Sequence, residues 1–246
     1  MRAVGALLLA LVLAWPAAAQ RVVSLNLCTD QYLLALAPER AAAVTHLARD
    51  ATLSVMAEAA RGVPTVRADA EAVLALRPDL VLAAPWGARV TLAALERRGV
   101  RVERIALPDG FAAIRDTTRR LAGLLGVPGR GEALLEGFEL PPAVPRGRAI
   151  ALEPRGLTAP PGSLRDAVLR AAGFENASDG RVMGLEALAR RPDVLLMVAP
   201  PPPTPSRATE FLAHPLLAAH PRREVPAALT ICGGPWTARA VALLAP

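Results

Sequence analysis

Short apolar runs alternate along the chain with longer amphipathic segments, which is typical of an α/β fold. In the first half, strands are predicted over residues 21–27, 43–46, 80–84 and 102–106. Helices are predicted between them, over residues 29–36, 69–76 and 90–98. Because strands that alternate with helices pair in parallel, we expect a first lobe with a parallel sheet over residues 20–110.

The longest periodic stretch of the chain follows this first lobe. Residues 111–125 predict an amphipathic helix, and a second helical segment over 132–138 follows a glycine-rich break. We expect residues 111–140 to form a long connecting helix. A proline-rich stretch over residues 141–145 marks the domain boundary beyond it.

The second half repeats the alternation and predicts a second α/β lobe over residues 141–246. Its strands are predicted over residues 149–152, 194–198 and 228–231. Its helices are predicted over residues 163–172, 185–190, 208–212 and 236–244. The proline tract at residues 200–205 follows a strand, and we expect it to form a stiff lip.

An internal repeat supports two similar halves. The sequence LALRPDLVL at residues 74–82 recurs as LARRPDVLL at residues 188–196. In each copy the proline ends a helix and the aspartate opens an apolar run of strand length. A junction of this kind can also arise by chance in any α/β protein.

The N-terminus has the pattern of a secretory signal peptide. Arg2 precedes an apolar run over residues 5–15, and small residues end the segment at Ala19. Residues 1–19 are therefore predicted to be removed on export; a membrane anchor is the alternative, but the run is too short to span a bilayer. The bulky Leu27 before Cys28 argues against a lipoprotein.

Composition narrows the class of protein. The chain is 53% hydrophobic and 20% charged, so it can bury a core and is not disordered. All 28 basic residues are arginine, spread among 22 acidic residues, and only eight residues are aromatic. A nucleic-acid binder concentrates its positive charge and interleaves aromatic residues with it, so we expect no nucleic-acid partner.

Signatures of catalysis and of metal binding are weak. The glycines of residues 126–131 do not follow a strand, as a dinucleotide-binding loop would require, and no Gly-x-Ser-x-Gly motif occurs. The histidines are His46, His214 and His220, and the last two are out of helical register for a metal site. We therefore expect neither an enzyme nor a protein-bound metal; an exported α/β enzyme and a direct zinc or manganese binder remain alternatives.

Several segments together resemble a known family. Residues 22–30, the junction LRPDLVLA at residues 76–83, the central helix and the turn around Pro235 are similar to periplasmic binding proteins of metal-chelate ABC importers. These proteins take up cobalamin, ferric siderophores or haem, and the cobalamin-binding members are the most similar. The resemblance implies two Rossmann-like lobes joined by a long connecting helix, with the ligand in the cleft between the lobes.

The resemblance also implies partners and a location. The protein would be a soluble monomer in the periplasm that delivers its chelate to an inner-membrane ABC permease. We expect no cofactor, because the bound metal chelate is the transported ligand. The identity of the chelate stays open between cobalamin, a ferric siderophore and haem.

Ligands of doubly wound sheets bind beyond the carboxyl ends of the strands. We therefore expect the cleft to be lined by residues 27–30, 85–89, 153–161, 199–205 and 232–236. Tyr32, Trp86 and Trp236 are candidates for stacking on the ligand, although each could instead close the core of its lobe. Arg89 and Arg155 are candidates to bind carboxylates or phosphate of the chelate, although either could be a solvated surface residue.

The two cysteines have three possible states. Cys28 follows the first predicted strand and Cys232 follows the last, so both are expected at the cleft. An exported protein with an even cysteine count favours a disulfide between them. Two free thiols, or a thiolate that reaches the metal of the ligand, are the alternatives.

The resemblance further implies one acidic residue near the top of each lobe that docks on the permease. Glu71 stands seven residues before Pro78, at the matching place, whereas Glu186 stands only six residues before Pro192. This difference implies either a one-residue deletion or another contact residue in the second lobe. Carboxylates that merely favour a helix N-terminus are the alternative for both positions.

Overall fold

A computed structural model describes residues 20–201, 204 and 206–245. The predicted signal peptide at residues 1–19 lies outside this range, and so do Pro202, Pro203 and Pro205 of the predicted lip. The described residues form two α/β lobes and a helical connection between them. No helix in the described part of the chain is long and apolar enough to cross a membrane.

The first lobe contains a parallel sheet of four strands in the order β2-β1-β3-β4. These strands are β1 (Val22–Ser24), β2 (Ala41–Ala43), β3 (Leu80–Ala83) and β4 (Arg101–Arg104). Its helices are α1 (Leu27–Leu36), α2 (Ala70–Ala75) and α3 (Arg89–Arg97). The central strands β1 and β3 are buried throughout, as expected for parallel strands covered on both faces.

The second lobe repeats this topology, with the order β6-β5-β7-β8. Its strands are β5 (Gly147–Ala151), β6 (Phe174–Asn176), β7 (Leu195–Val198) and β8 (Arg222–Glu224). Its α-helices are α6 (Leu164–Ala171), α7 (Leu185–Ala189), α8 (Arg207–Glu210) and α9 (Ala238–Leu244). Because both sheets have the same strand order, the predicted fold class of two similar parallel α/β lobes is confirmed.

One predicted strand of the second lobe is wrong, and two strands were not predicted. Residues Ala227–Leu229 form a 3₁₀ turn, and the fourth strand is instead β8. The edge strands β6 and β8 are short and carry polar side chains, so neither shows an apolar run. Ala228, Leu229 and Ile231 are apolar because they pack in the interior of the protein, without being part of the sheet.

The first helix begins earlier than its sequence indicates. Asn26 precedes α1, and its side chain accepts a hydrogen bond from the backbone N–H of Cys28, so Asn26 is the N-cap and the helix begins two residues before the predicted start at residue 29. Thr29 donates its hydroxyl to the carbonyl of Asn26. Nearly all of α1 is buried, which places this helix in the interior and not on the surface.

The predicted connecting helix consists of two antiparallel helices, α4 (Phe111–Leu124) and α5 (Pro128–Glu136). Gly126, with a φ of 67°, ends the first helix, and Pro128 begins the second. The two helices lie so close that a Cβ at Gly131 would stand 2.5 Å from that of Ala122. The connection is thus a helical hairpin.

This hairpin contacts both lobes. Ile114 of α4 and Phe138 after α5 pack with Leu164 and Ala238 of the second lobe. At the opposite end, Arg130 donates to the carbonyl of Leu36 and pairs with Glu39 of the first lobe. A continuous buried cluster also includes residues of both lobes, so the hairpin and the lobes pack as one unit.

Candidate functional site

A cavity of about 860 Å³ lies at the carboxyl ends of the strands of the second sheet. Residues 152–154, 199–201 and 225–227, which follow β5, β7 and β8, line it. Residues 51–53 of the first lobe, from the segment after β2, line it from the other side. The cavity therefore lies between the lobes, at the edge where doubly wound sheets bind ligands.

A second cavity of about 330 Å³ adjoins the first. Residues 107–109, from the segment after β4, line it together with residues of the second lobe. Segments after both outer strands of the first sheet, β2 and β4, therefore face the second lobe. It follows that the carboxyl ends of β1 and β3, which lie between these strands, are directed toward the cleft as well.

Only part of the predicted lining is observed in the main cavity. The loops after β5 and β7 contribute Glu153 and Pro154, and Ala199 to Pro201. Residues 27–30 belong to α1 and are buried, and residues 232–236 lie in the core. The sequence missed residues 209, 210, 212 and 213 around the end of α8, and also residues 222 and 224–227. The second group was missed because the loop after β8 could not be placed without the strand itself.

Tyr32 and Trp236 pack against each other in the interior. Their ring centroids are 5.4 Å apart, and their side chains are only 2% and 7% exposed. The indole N–H of Trp236 donates to the carbonyl of Cys232 at 3.2 Å. Both rings therefore close the core, which was the alternative prediction for them. Their predicted stacking on the ligand is not compatible with this burial.

Cys28 and Cys232 are joined in a buried disulfide, with their Cα atoms 5.2 Å apart. Cys28 is the second residue of α1, and Cys232 lies in a loop rather than at a strand end. Of the three predicted states, the structure contains the disulfide. Contact between either sulfur and the metal of a ligand is contradicted, because both sulfurs are bonded and buried.

Trp86 remains exposed at the end of β3. Its side chain is 57% exposed, and the left-handed residues Gly87 and Ala88 turn the chain from it into α3. Arg89 is the first residue of α3 and is exposed as well. Neither Trp86 nor Arg89 is among the residues that line the two cavities, so their contact with a ligand stays a prediction.

Arg155 lies in a tight turn after β5. It has a φ of 63°, and the next residue, Gly156, has a φ of 76° and packs so closely that a Cβ would stand 2.3 Å from the carbonyl oxygen of Met183. The Arg155 side chain is exposed, and its neighbours Glu153 and Pro154 line the cavity. The turn therefore places Arg155 beside the cavity.

An ion pair between Arg165 and Glu153 lies where the two cavities meet. Nε of Arg165 also donates to the hydroxyl of Thr230 at 3.3 Å, and burial lowers the pKa of the guanidinium from its ordinary value. Arg165 was not identified from the sequence. A signal was present, because Arg165 lies in the first turn of α6, where a cation opposes the helix macrodipole. A cation at such a position indicates a role other than stabilising its helix.

The first-lobe wall of the cavity is held by α1. The carboxylate of Asp30 accepts from the backbone N–H of Thr45 at 3.2 Å, and the amide oxygen of Gln31 accepts from that of Val55 at 2.8 Å. These bonds fix both ends of the segment that carries residues 51–53. Burial raises the pKa of Asp30 to about 6, against the opposing effect of its hydrogen bonds.

Glu71 and Glu186 occupy equivalent places in the two lobes. Each is the exposed second residue of a short helix that precedes the third strand of its lobe, α2 before β3 and α7 before β7. In both lobes two residues separate the helix from the proline of the repeat. Helix α7 is one residue shorter than α2, so the missing residue of the second copy lies within the helix.

Comparison with known proteins supports this architecture. Residues 22–140 match the family model described as periplasmic binding protein. No curated protein matches the chain significantly. The family match therefore covers the first lobe and the helical hairpin, and the second lobe is related to known proteins through its structure.

Solved structures share the fold over nearly the whole chain. The periplasmic heme-binding protein RhuT from Roseiflexus sp. RS-1 is 23% identical, with a TM-score of 0.71 over 92% of this chain and 98% of that chain. A periplasmic heme-binding protein from Pseudomonas aeruginosa is 24% identical, with a TM-score of 0.67 over 92% and 91% of the two chains.

A third structure comes from a different transport system. The ABC-type Fe³⁺-hydroxamate transport system protein from Saccharomonospora viridis is 18% identical, with a TM-score of 0.65 over 92% of this chain and 91% of that chain. At these identities the likeness shows the fold alone. The two lobes, their sheets and the connection between them are common to all three.

Proposed function

We propose that this chain, whose residues 22–140 match the periplasmic binding protein family, captures a metal chelate between its lobes and delivers it to an inner-membrane ABC permease. The observation that carries the proposal is the cavity at the carboxyl ends of the second sheet, faced by the first lobe. Its volume of about 860 Å³ lies in the range of pockets that enclose a small organic ligand. Export by residues 1–19 would bring the protein to its permease.

The walls of the cavity suit a large ligand with apolar faces. Leu152, Met197, Val198, Val225 and Ile231 contribute aliphatic surface. Trp86 would add an aromatic face from the first lobe, where stacking on a planar or greasy ligand gains more than burial of the same area alone. Arg89 and Arg155 are the proposed partners for polar groups of the chelate outside the cavity lining, because both guanidiniums are exposed.

The second part of the proposal concerns the chemical class of the chelate. Cobalamin is the ligand that the sequence resemblance favours, and haem and ferric siderophores are the other two classes. The similar structures include heme-binding proteins and a Fe³⁺-hydroxamate transport protein. All three classes therefore belong in any binding experiment.

Glu71 and Glu186 are the proposed contacts with the permease. Both carboxylates are exposed, and the repeat places them symmetrically on the two lobes. A two-lobed protein that presents one carboxylate on each lobe can engage cationic groups of a permease at two points. Neither carboxylate lines the cavity, so docking and ligand capture would be separable.

Purification of the protein from its native periplasm tests the proposal without an assumed ligand. Corrinoids, haem and ferric siderophores have distinct absorption spectra, and mass spectrometry identifies whatever co-purifies. We expect a chelate of one of these classes. A different kind of molecule in the cavity, or turnover of a chelate by the protein, would contradict the proposed function.

A further inference from the structure

The charged side chains of the main cavity are not balanced. Five line it: Glu153, Arg165, Glu210, Arg222 and Glu224. Three carboxylates against two guanidiniums give a formal charge of −1, in a chain whose formal net charge is +6. The cavity therefore has the opposite sign to the protein as a whole.

Both guanidiniums of the cavity are already engaged. Arg165 pairs with Glu153. Arg222 donates to the backbone carbonyls of Leu212 at 2.9 Å and Leu217 at 3.1 Å, so it connects β8 to the segment that precedes it in the second lobe. Within the part of the chain that the structure describes, neither cation forms an ion pair with Glu210 or Glu224.

Glu210 and Glu224 are the carboxylates that remain. Among the described residues, the ion pairs include neither of them. Arg223, next to Glu224, donates instead to the backbone carbonyl of Arg222. Both carboxylates are thus available to a ligand in the cavity.

The two acids differ in their local structure. Glu210 lies in the first turn of a helical segment made of α8 and the 3₁₀ turn Phe211–Ala213, where the helix dipole favours a carboxylate. Glu224 is the last residue of the edge strand β8, directly at the carboxyl edge that forms the cavity. Their common feature is the cavity that both of them line.

We propose that Glu210 and Glu224 set the charge selectivity of the cavity. Chelates with an uncharged or hydrogen-bond-donating periphery bind, and chelates that carry a carboxylate near Glu210 and Glu224 are rejected. This inference rests on the proposed function and deepens it. Free carboxylates accept hydrogen bonds from amide or hydroxyl groups of a ligand. A ligand carboxylate at the same place meets like charge in a partly desolvated site, which weakens binding.

Matched pairs of ligands isolate the effect of charge. Cyanocobalamin and a monocarboxylic derivative, in which one peripheral amide is a carboxylate, form one pair. Hemin dimethyl ester and hemin form the second, and N-acetyl and N-succinyl ferrioxamine B form the third. Affinities are measured for the wild-type protein, for the double variant Glu210→Gln and Glu224→Gln, and for a control, Glu136→Gln and Glu139→Gln. The control removes the same charge from exposed residues outside the cavity.

In at least one pair, the wild type should bind the uncharged member about tenfold more tightly than the anionic one at low salt. The Glu210 and Glu224 double variant should reduce this ratio by about threefold or more, and the control should preserve it. Higher ionic strength should also reduce the ratio of the two affinities in the wild type. Since glutamine keeps the shape of the exposed side chains, the unfolding midpoint should not change.

Equal affinities within each pair for the wild type would overturn the inference, and so would a ratio that the double variant leaves unchanged. Tighter binding of the anionic member would overturn it as well. Failure of the proposed function gives a different result, because then no member of the three pairs binds to any of the three proteins and the inference falls with it. Binding of both members with equal affinity would contradict the inference and would leave the proposed function supported.

Discussion

The disulfide between Cys28 and Cys232 links the two walls of the cavity. Cys28 belongs to α1, which holds the segment with residues 51–53 through Asp30 and Gln31. Cys232 directly follows Thr230 and Ile231, which line the cavity from the second lobe. One covalent bond thus joins the supports of both sides of the site.

Loss of the disulfide should destabilise the protein strongly. The bond closes a loop of 204 positions, for which the chain-entropy model gives about 5 kcal/mol of stabilisation. We expect the double variant Cys28→Ser and Cys232→Ser to unfold at much lower urea concentration than the wild type. Thiol counting on the denatured wild type from the periplasm should find no free thiol; two thiols, or an unchanged urea midpoint, would contradict the bond.

Asp30 should make stability depend on pH in the acidic range. Its pKa is raised from 3.8 to about 6 in the folded state, so the folded protein binds a proton that the unfolded chain has lost. The contribution of Asp30 to stability should therefore fall by about 3 kcal/mol as the pH rises from about 4 to about 6. An amide side chain does not titrate in this range, so the Asp30→Asn variant should lack this contribution.

The measurement is urea unfolding of both proteins between pH 4 and pH 7. The difference in unfolding free energy, wild type minus Asp30→Asn, should decrease with rising pH. All other ionisable groups are present in both proteins, so their independent contributions cancel in this difference. A difference that stays constant or increases over this range would refute the assignment to Asp30.

Trp86 and Trp236 should respond to substitution in opposite ways. Trp86→Ala should weaken chelate binding by about tenfold, from lost stacking, with little change in stability because the side chain is 57% exposed. Trp236→Ala should cost about 3 kcal/mol or more of stability, because its ring is buried against Tyr32. Ligand titration and urea unfolding on both variants check this; unaltered affinity in Trp86→Ala would remove Trp86 from the site.

Charge reversal at Glu71 and Glu186 should separate docking from capture. The double variant Glu71→Arg and Glu186→Arg should abolish chelate uptake in cells and leave the affinity for the ligand intact, because neither residue lines the cavity. Glu175→Arg, an exposed acid on β6, serves as control. Normal uptake with a stability loss below about 1 kcal/mol would instead support a role limited to the helix N-termini.

The strands that the sequence predicted best are the central ones. β1, β3 and β7 are covered on both faces, so their apolar runs are continuous and easy to identify. The edge strands β6 and β8 have no such run. The apolar run at residues 228–231 was taken for a strand because burial in a core and burial in a sheet leave the same pattern.

The site was less predictable than the fold for the same reason. Arg165, Glu210 and Glu224 line a cavity whose position depends on β8, which has no signal of its own. Tyr32 and Cys28 were assigned to the cleft because they follow the first strand closely. Helix α1 is instead buried on almost every side, and sequence spacing alone does not show whether a helix lies at a surface or between two lobes.

Titration of the purified protein with cyanocobalamin, hemin and ferric hydroxamate and catecholate siderophores is the decisive test of chelate capture. We expect one of these chelates to bind with a stoichiometry of one per chain and a Kd below the order of tens of micromolar, and Trp86→Ala to weaken this binding. The absence of binding by every chelate at concentrations on the order of tens of micromolar would contradict chelate capture by this protein.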